Sequence, residues 1–535
     1  MTGHLELWIL GLLAAVAGLV MLSNFLRVPY PVFLVLGGLA LAIVPIVPDI
    51  ELPPDLVLLV FLPPILYSAA FFSSPRDLRA NLRPIGFLSI GLVLVTVVTV
   101  AVVAHAATGL PWAAAFVLGT VLAPTDPVAA TAIAARLGMP RRIVTILEGE
   151  SLINDGTALV LYRVTVSAAV TGTFSLLDAG LEFALYGTGG AAIGLLVGWA
   201  ISRVRRWTED SLVEITISLF TPYAAYIPAE ELGASGVLAA VAAGLYLGWY
   251  SPEMTAPQNR LQASTVWEVL PFLLNSLLFI LIGLQLPNIL ERLSGEYSTI
   301  SVLLYAALVI LAVIGTRMLW TFPIAYLPQY LSRSLRERDP YPPWQQVGVV
   351  AYTGMRGAVS LAAALAIPLT TEGGAPFPGR DLILLITFCV ILVTLVPQSL
   401  SLPFIIRRLG LAGEEGDEEH EEVEARLRAA EAALERIEEL KDEDWVREDT
   451  AEWIRNLYEF RRRRFATRLD GQPENGEEED GDPEERSLAF QRLRRELLGA
   501  ERAALLELRN QGHLSDETRR RIERDLDLED TRLEI

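Results

Sequence analysis

The chain has 535 residues, 52% of them hydrophobic, with a mean hydropathy of +0.41. That balance excludes an ordinary water-soluble globule and points to a polytopic membrane protein. The net charge of −20 sits almost wholly at one end: residues 1–410 hold 21 Arg against 24 acids and residues 411–535 hold 22 basic against 39 acidic residues, a tail that argues against nucleic-acid binding.

Cys389 is the only cysteine, which excludes an intramolecular disulfide and a cysteine metal cluster. His4, His105, His420 and His513 lie away from the charged motifs described below, so a histidine-rich metal site and a Ser-His hydrolase are not expected, and no cofactor is. No basic residues precede the first apolar run, Leu5–Leu22, which reads as a membrane span and not a cleaved signal.

In chain order, apolar segments of membrane length fall at about 5–23, 30–47, 55–72, 84–106, 111–135, 143–170, 181–202, 211–229, 234–250, 265–285, 300–324, 345–369 and 381–405. Alternate connections carry Arg27; Arg76, Arg79 and Arg83; Arg136, Arg141 and Arg142; Arg203, Arg205 and Arg206; Arg260; and Arg333, Arg336 and Arg338, with Arg407 and Arg408 opening the tail. The other connections hold only Arg292 and Arg380. Sixteen against two predicts an N-terminus outside and a cytoplasmic tail, in a multi-pass plasma-membrane protein.

The fold expected is all-α: a polytopic body of about thirteen transmembrane helices over 1–410, and an acidic, mostly helical cytoplasmic tail over 411–535. A shift of seven segments superposes span 5 on span 12 in opposite orientation, the signature of inverted repeats. Span 5 carries Pro124 and Pro127 around Asp126; span 12 carries Gly354, Gly357 and Pro368 around Arg356. Both are expected to be broken helices.

A charged side chain at bilayer depth costs about 2.5–3.5 kcal/mol, so intramembrane carboxylates point to a function. The break in span 5 frees carbonyls near Thr125 for a cation, with Asp126 beside them. In span 6, Ser151 and Asp155 are i,i+4 neighbours, as are Glu150 and Asn154. Ser151 and Asp155 thus offer a hydroxyl and a carboxylate to one hard cation. Glu150 reads instead as half of a buried ion pair, with Arg317 or Arg356 as its partner. Arg163, two turns beyond Asp155, reads as snorkelling to an interface.

The motifs Phe61-Leu-Pro-Pro-Ile-Leu, Ala123-Pro-Thr-Asp-Pro-Val, Glu148-Gly-Glu-Ser-Leu-Ile-Asn-Asp-Gly, Glu230-Glu-Leu-Gly-Ala-Ser-Gly-Val-Leu-Ala and Gly354-Met-Arg-Gly-Ala-Val-Ser-Leu occur in order over about 1–405. In these the chain resembles the sodium/proton exchangers of the monovalent cation:proton antiporter-1 family, NhaP-like and of the bacterial form with a long cytoplasmic tail. The resemblance implies a homodimer with crossed, unwound helices 5 and 12. It implies that Asp155 binds cation and proton in competition, helped by Asp126, Ser151, Asn154 and the backbone near Thr125. It also implies that Glu150 pairs structurally with Arg317, and that the Asn154-Asp155 pair goes with electroneutral one-for-one exchange. Relatives often place an acid shortly after Leu-Pro-Pro, where this chain has Tyr67-Ser68.

The function expected is Na⁺/H⁺ antiport, with K⁺ or Li⁺ as alternative cations and membrane lipid as the other partner. A transporter is not an enzyme, and the rival enzyme class is an intramembrane aspartyl protease. That class resembles a Tyr-Asp plus Gly-x-Gly-Asp pattern, absent around Asp126 and Asp155. In the tail, 421–466 reads as a charged helix with a seam of Val423, Leu427, Ala430, Leu434 and Ile437, packed as a short coiled coil or a helical hairpin. Residues 471–485 read as a flexible linker. Residues 486–530 read as helical again, through Leu493, Leu497, Leu505 and Leu508. Arg461–Arg464 are candidates for anionic lipid.

Overall fold

The computed structural model describes residues 2–26, 28–44, 53, 56–207, 210–254, 257–293, 298–333, 337, 341–413, 416–441, 443, 445–470 and 483–511, with a few positions up to 530. It divides into two units, Met1–Glu414 and Glu415–Ile535. Among the described residues the secondary structure is helical, apart from an isolated bridge between Thr370 and Pro376.

The first unit runs α1 (Thr2–Leu26), α2 (Tyr30–Ala42), α3 (Val57–Phe72), α4 (Leu82–Thr108), α5 (Trp112–Leu122), α6 (Val128–Leu137), α7 (Arg141–Thr171), α8 (Leu176–Arg205), α9 (Ser211–Glu231), α10 (Gly236–Met254), α11 (Pro257–Leu284), α12 (Leu286–Leu293), α13 (Thr299–Leu331), α14 (Trp344–Tyr352), α15 (Ala358–Leu365) and α16 (Arg380–Arg408). Among the described residues, six helices are long and apolar enough to cross a membrane: Leu82–Thr108, Ala179–Arg205, Ser211–Glu231, Asn259–Leu284, Ile300–Leu331 and Arg380–Arg408. Their outer faces keep large apolar side chains exposed, among them Leu196 and Trp199 on α8 and Leu311 and Leu319 on α13. Exposure on that scale suits a hydrocarbon solvent and not water.

Inside, α16 is the most deeply buried of these long helices, and its Ile383, Ile386, Val390 and Leu395 join Val117, Leu118, Leu122 and Ile143 in one large core. Helix α5 stops at Leu122, and the chain is non-helical until α6 begins at Val128. Proline accounts for the stop: Pro124 and Pro127 bring no amide hydrogen, so the ladder loses two donors within four residues. The second break, between α14 and α15, spans 353–357 and holds Gly354 and Gly357. The two breaks meet, with the Asp126 amide donating to the Met355 carbonyl at 2.8 Å.

One end of this unit gathers three of the arginine-bearing connections. Arg141 lies 3.4 Å from Asp77, the Arg142 Nε donates to the Asn81 side chain at 3.2 Å, and the Gly413 amide donates to the Leu137 carbonyl at 3.0 Å. The ends of α3, α6, α7 and α16 therefore share one face. At another turn, Glu230 accepts from the Tyr186 hydroxyl and from the Gly236 amide at 2.9 Å, closing the connection between α9 and α10. Arg163 stacks over the Tyr186 ring at 4.9 Å and lies 4.0 Å from Glu182, so it has protein partners where snorkelling was expected.

The second unit holds α17 (Gly416–Leu440), α18 (Glu448–Asp470) and α19 (Pro483–Asn510). Of the two packings expected for 421–466, the structure shows a hairpin of α17 and α18, joined through the half-exposed Val446. Ala430 from the seam and Phe465 are its buried contacts. Most of the linker expected over 471–485 lies outside the described residues, and helix begins within it at Pro483. In α19, Leu505 is buried with Leu498 and Leu526, whereas Leu493, Leu497 and Leu508 are exposed.

Candidate functional site

Helix α7 is 31 residues long and passes both breaks. At 3.6 residues per turn, Glu150 and Asn154 share one face, and Ser151 and Asp155 the next. The structure gives those two faces different surroundings.

On the first face Glu150 forms a two-pronged pair with Arg317 of α13, at 2.5 and 2.8 Å. Both groups are within 2% of full burial. Thr125 donates its hydroxyl to Glu150 at 3.2 Å and accepts from the Asn154 amide at 2.6 Å. Arg317 also donates to the Val350 carbonyl at 3.0 and 3.2 Å, in the last turn of α14. A guanidinium there offsets the negative end of the half-helix dipole. Gly354 leaves room for it: a Cβ at that position would come 2.3 Å from the Arg317 Cδ.

Arg356, grouped with this pair from the sequence, takes backbone partners instead. It donates to the Gly354 carbonyl and, at 3.1 Å, to the Leu122 carbonyl at the end of α5. Its own amide donates to the Thr394 hydroxyl at 3.1 Å. The carboxylate is already filled bidentately by Arg317, and a buried guanidinium must find other acceptors. The two arginines thus cap the negative ends of the two broken helices.

Asp126 occupies the opposite ends. Its Oδ1 accepts from the Val128 amide at 3.0 Å, at the start of α6. Its Oδ2 lies against Gly357, the residue that precedes α15, where a Cβ would come 1.9 Å from it. A carboxylate between two helix N-termini is held by both positive ends.

The second face of α7 lines a cavity of about 340 Å³. Thr125, Asp126, Ser151 and Asp155 all reach it, and Asp155 is 5% exposed. Among the described residues Asp155 and Ser151 take no hydrogen-bond or ion-pair partner, so their oxygens are left to the cavity. Asn154, expected with the ligands, faces the other way: its amide holds Thr125 and its Oδ1 is buried without a partner. The Thr125 hydroxyl is likewise taken up in the Glu150 network, which leaves its main chain for the cavity. Ser68 lines the cavity but donates to the Ile65 carbonyl at 2.8 Å.

Two further cavity residues were not singled out from the sequence. Glu148 is three residues before Ser151 and seven before Asp155, a helical spacing that reveals its face once the cavity side is known. Ser360 on α15 is 1% exposed, and its hydroxyl has no partner. No three or more His, Cys, Asp or Glu converge as a metal cluster among the described residues. Two carboxylates, hydroxyls and carbonyls make a donor set for a hard, weakly held cation.

Residues 11–408 match the family described as sodium/hydrogen exchanger, transmembrane. The chain belongs to the sodium/hydrogen exchanger family. It is 39% identical over 528 residues to an uncharacterized Na(+)/H(+) exchanger of Mycobacterium tuberculosis, covering 98% of this chain and 95% of the relative. It is 34% identical over 409 residues to the sodium, potassium, lithium and rubidium/H(+) antiporter of Bacillus pumilus, covering 74% of this chain and 60% of that protein. The fold is that of the sodium proton antiporter MjNhaP1 from Methanocaldococcus jannaschii, with a TM-score of 0.58 at 20% identity over 77% of this chain and all of that one. As a member of this exchanger family, the protein is a multi-pass membrane protein whose relatives are transporters and not enzymes.

Proposed function

We propose that the protein exchanges Na⁺ for H⁺, one for one and electroneutrally, by competition of the two for Asp155. The observation that carries this reading is the contrast on α7: Asp155 is buried, unpaired and open to a cavity, while Glu150 one turn away is fully partnered. A bare carboxylate inside a membrane is costly unless a proton or a cation neutralises it. Each occupant excludes the other, and only the neutralised site crosses cheaply, which couples the two fluxes. Asp126, Ser151 and the Thr125 carbonyl complete the cation's oxygen shell.

In this reading the first unit has thirteen spans in inverted repeats, with the breaks after α5 and α14 at the midplane. The N-terminus lies outside, the arginine-rich face is cytoplasmic, and two copies form a dimer. Potassium and lithium are the second reading of the substrate, favoured by the range of cations for which the Bacillus pumilus antiporter is named.

The test is a set of proteoliposomes with an acid-inside gradient, followed by a pH-sensitive dye while Na⁺, Li⁺ and K⁺ are added in turn. Dissipation by Na⁺, indifferent to a clamped membrane potential, is the expected result. A response set by the potential overturns electroneutrality, and a response to K⁺ alone changes the substrate. No response from folded, inserted protein overturns exchange itself.

A further inference from the structure

We propose that Glu148 is an affinity-setting residue, a carboxylate that draws monovalent cation from the arginine-rich face toward Asp155 without holding the transported ion. The inference rests on the exchange reading above and adds a role at the mouth of the same cavity.

The cavity is one-sided. From the two breaks it extends past Thr131 on α6 and Trp267 on α11 to exposed Phe72 and to Ser73 at the end of α3. Those residues lie toward the arginine-rich face. Glu148 is about 10 Å along α7 from Asp155, at 1.5 Å per residue, on the same wall. It is half-buried and takes no ion pair among the described residues. Arg141, the cation whose field reaches it, is exposed and lies beside Asp77.

The electrostatic need is plain. Arginines that fix the orientation of a membrane protein place positive potential over the face from which a cation must enter. Here Arg76, Arg79, Arg136 and Arg141 belong to those connections. Among the cavity's lining residues none is basic and three are acidic: Glu148, Asp126 and Asp155. Asp126 is already engaged by the Val128 amide, which leaves Glu148 as the charge nearest the mouth. The buried, unpartnered hydroxyl of Ser360 marks the inner end of the same path as a place for a ligand.

The experiment compares wild type, Glu148→Gln and Glu148→Asp as full-length protein in vesicles, with Na⁺ applied to each face in turn. Ionic strength is set low or high with choline chloride. Glu148→Gln is expected to raise KM for Na⁺ by roughly 3- to 10-fold from the arginine-rich face at low ionic strength, with kcat kept. The effect should shrink at high ionic strength, where exposed charges are screened. Glu148→Asp should stay near wild type. An unchanged KM, a fall in kcat at constant KM, or a salt-independent effect in both variants overturns the proposal. Absence of exchange in the wild type would instead sink the exchange reading, so the two failures are told apart.

Discussion

Two faces of one helix, a single residue apart, carry the same chemistry to opposite ends. Glu150 and Asn154 of α7 sit in a closed network with Thr125, Arg317 and the Val350 carbonyl. Ser151 and Asp155 face a cavity and bond to none of the described residues. Identity of residue type does not separate the two carboxylates; satisfaction of their oxygens does. A buried charge with every partner supplied is held for the fold, and one without partners is held for a ligand.

The strongest way to break the comparison is to neutralise each carboxylate. Asp155→Asn should reduce cation-driven proton exchange to the level of empty vesicles while the thermal unfolding midpoint barely moves, because no partner is stranded. Residual exchange in the vesicle assay would remove Asp155 from the centre. Glu150→Ala should do the reverse: it leaves Arg317 buried beside only carbonyls, a loss of about 3–5 kcal/mol of stability. Detergent unfolding would read it, and the surviving folded protein should still exchange. If Glu150→Ala leaves stability intact and abolishes transport, the two faces have been assigned the wrong way round.

Asp126 lies between these extremes, since one of its oxygens caps α6 and the other faces the cavity wall at Gly357. Gly357→Ala places a methyl group where Oδ2 now is, so the carboxylate or the start of α15 must shift. An exchange rate lowered about tenfold, with a smaller change in stability, is expected for a displacement of ~1 Å at a site whose geometry matters. Normal exchange in Gly357→Ala would mean that the breaks tolerate movement at their point of contact.

Much of this was legible beforehand. The prolines around Asp126 announced the first break, because a missing amide donor has a local cause and a local effect. The i,i+4 pairing of Ser151 with Asp155 followed from helical geometry alone. What the chain did not reveal was choice among partners. Arg317 and Arg356 are equally buried arginines, and only the fold brings one to Glu150 and the other to the end of α5. Asn154 was hidden for the same reason: its neighbour in sequence faces the cavity, but its hydrogen bond reaches back to residue 125. Glu148 was passed over because its importance depends on where the cavity runs. In the tail the hairpin was one of two packings the seam allowed, whereas the buried Leu498 arises from contacts with Leu505 and Leu526 that the leucine spacing did not single out.

Ser151 and Thr125 offer the finest test, since both line the cavity and carry a hydroxyl, and that of Thr125 is taken up by Glu150 and Asn154. The Ser151 hydroxyl has no protein partner, so Ser151→Ala removes a ligand and strands nothing. A net hydrogen bond of about 0.5–1.5 kcal/mol gives a rise in cation KM of roughly 2- to 13-fold, without a change in unfolding. Thr125→Val removes a hydroxyl that joins Asn154 to Glu150 and leaves the main-chain carbonyl in place. Its cost should therefore fall on stability, by about 1–3 kcal/mol, with KM close to wild type. If Thr125→Val raises KM as much as Ser151→Ala does, the threonine hydroxyl is a cation ligand, and the boundary between the two faces of α7 runs through Thr125.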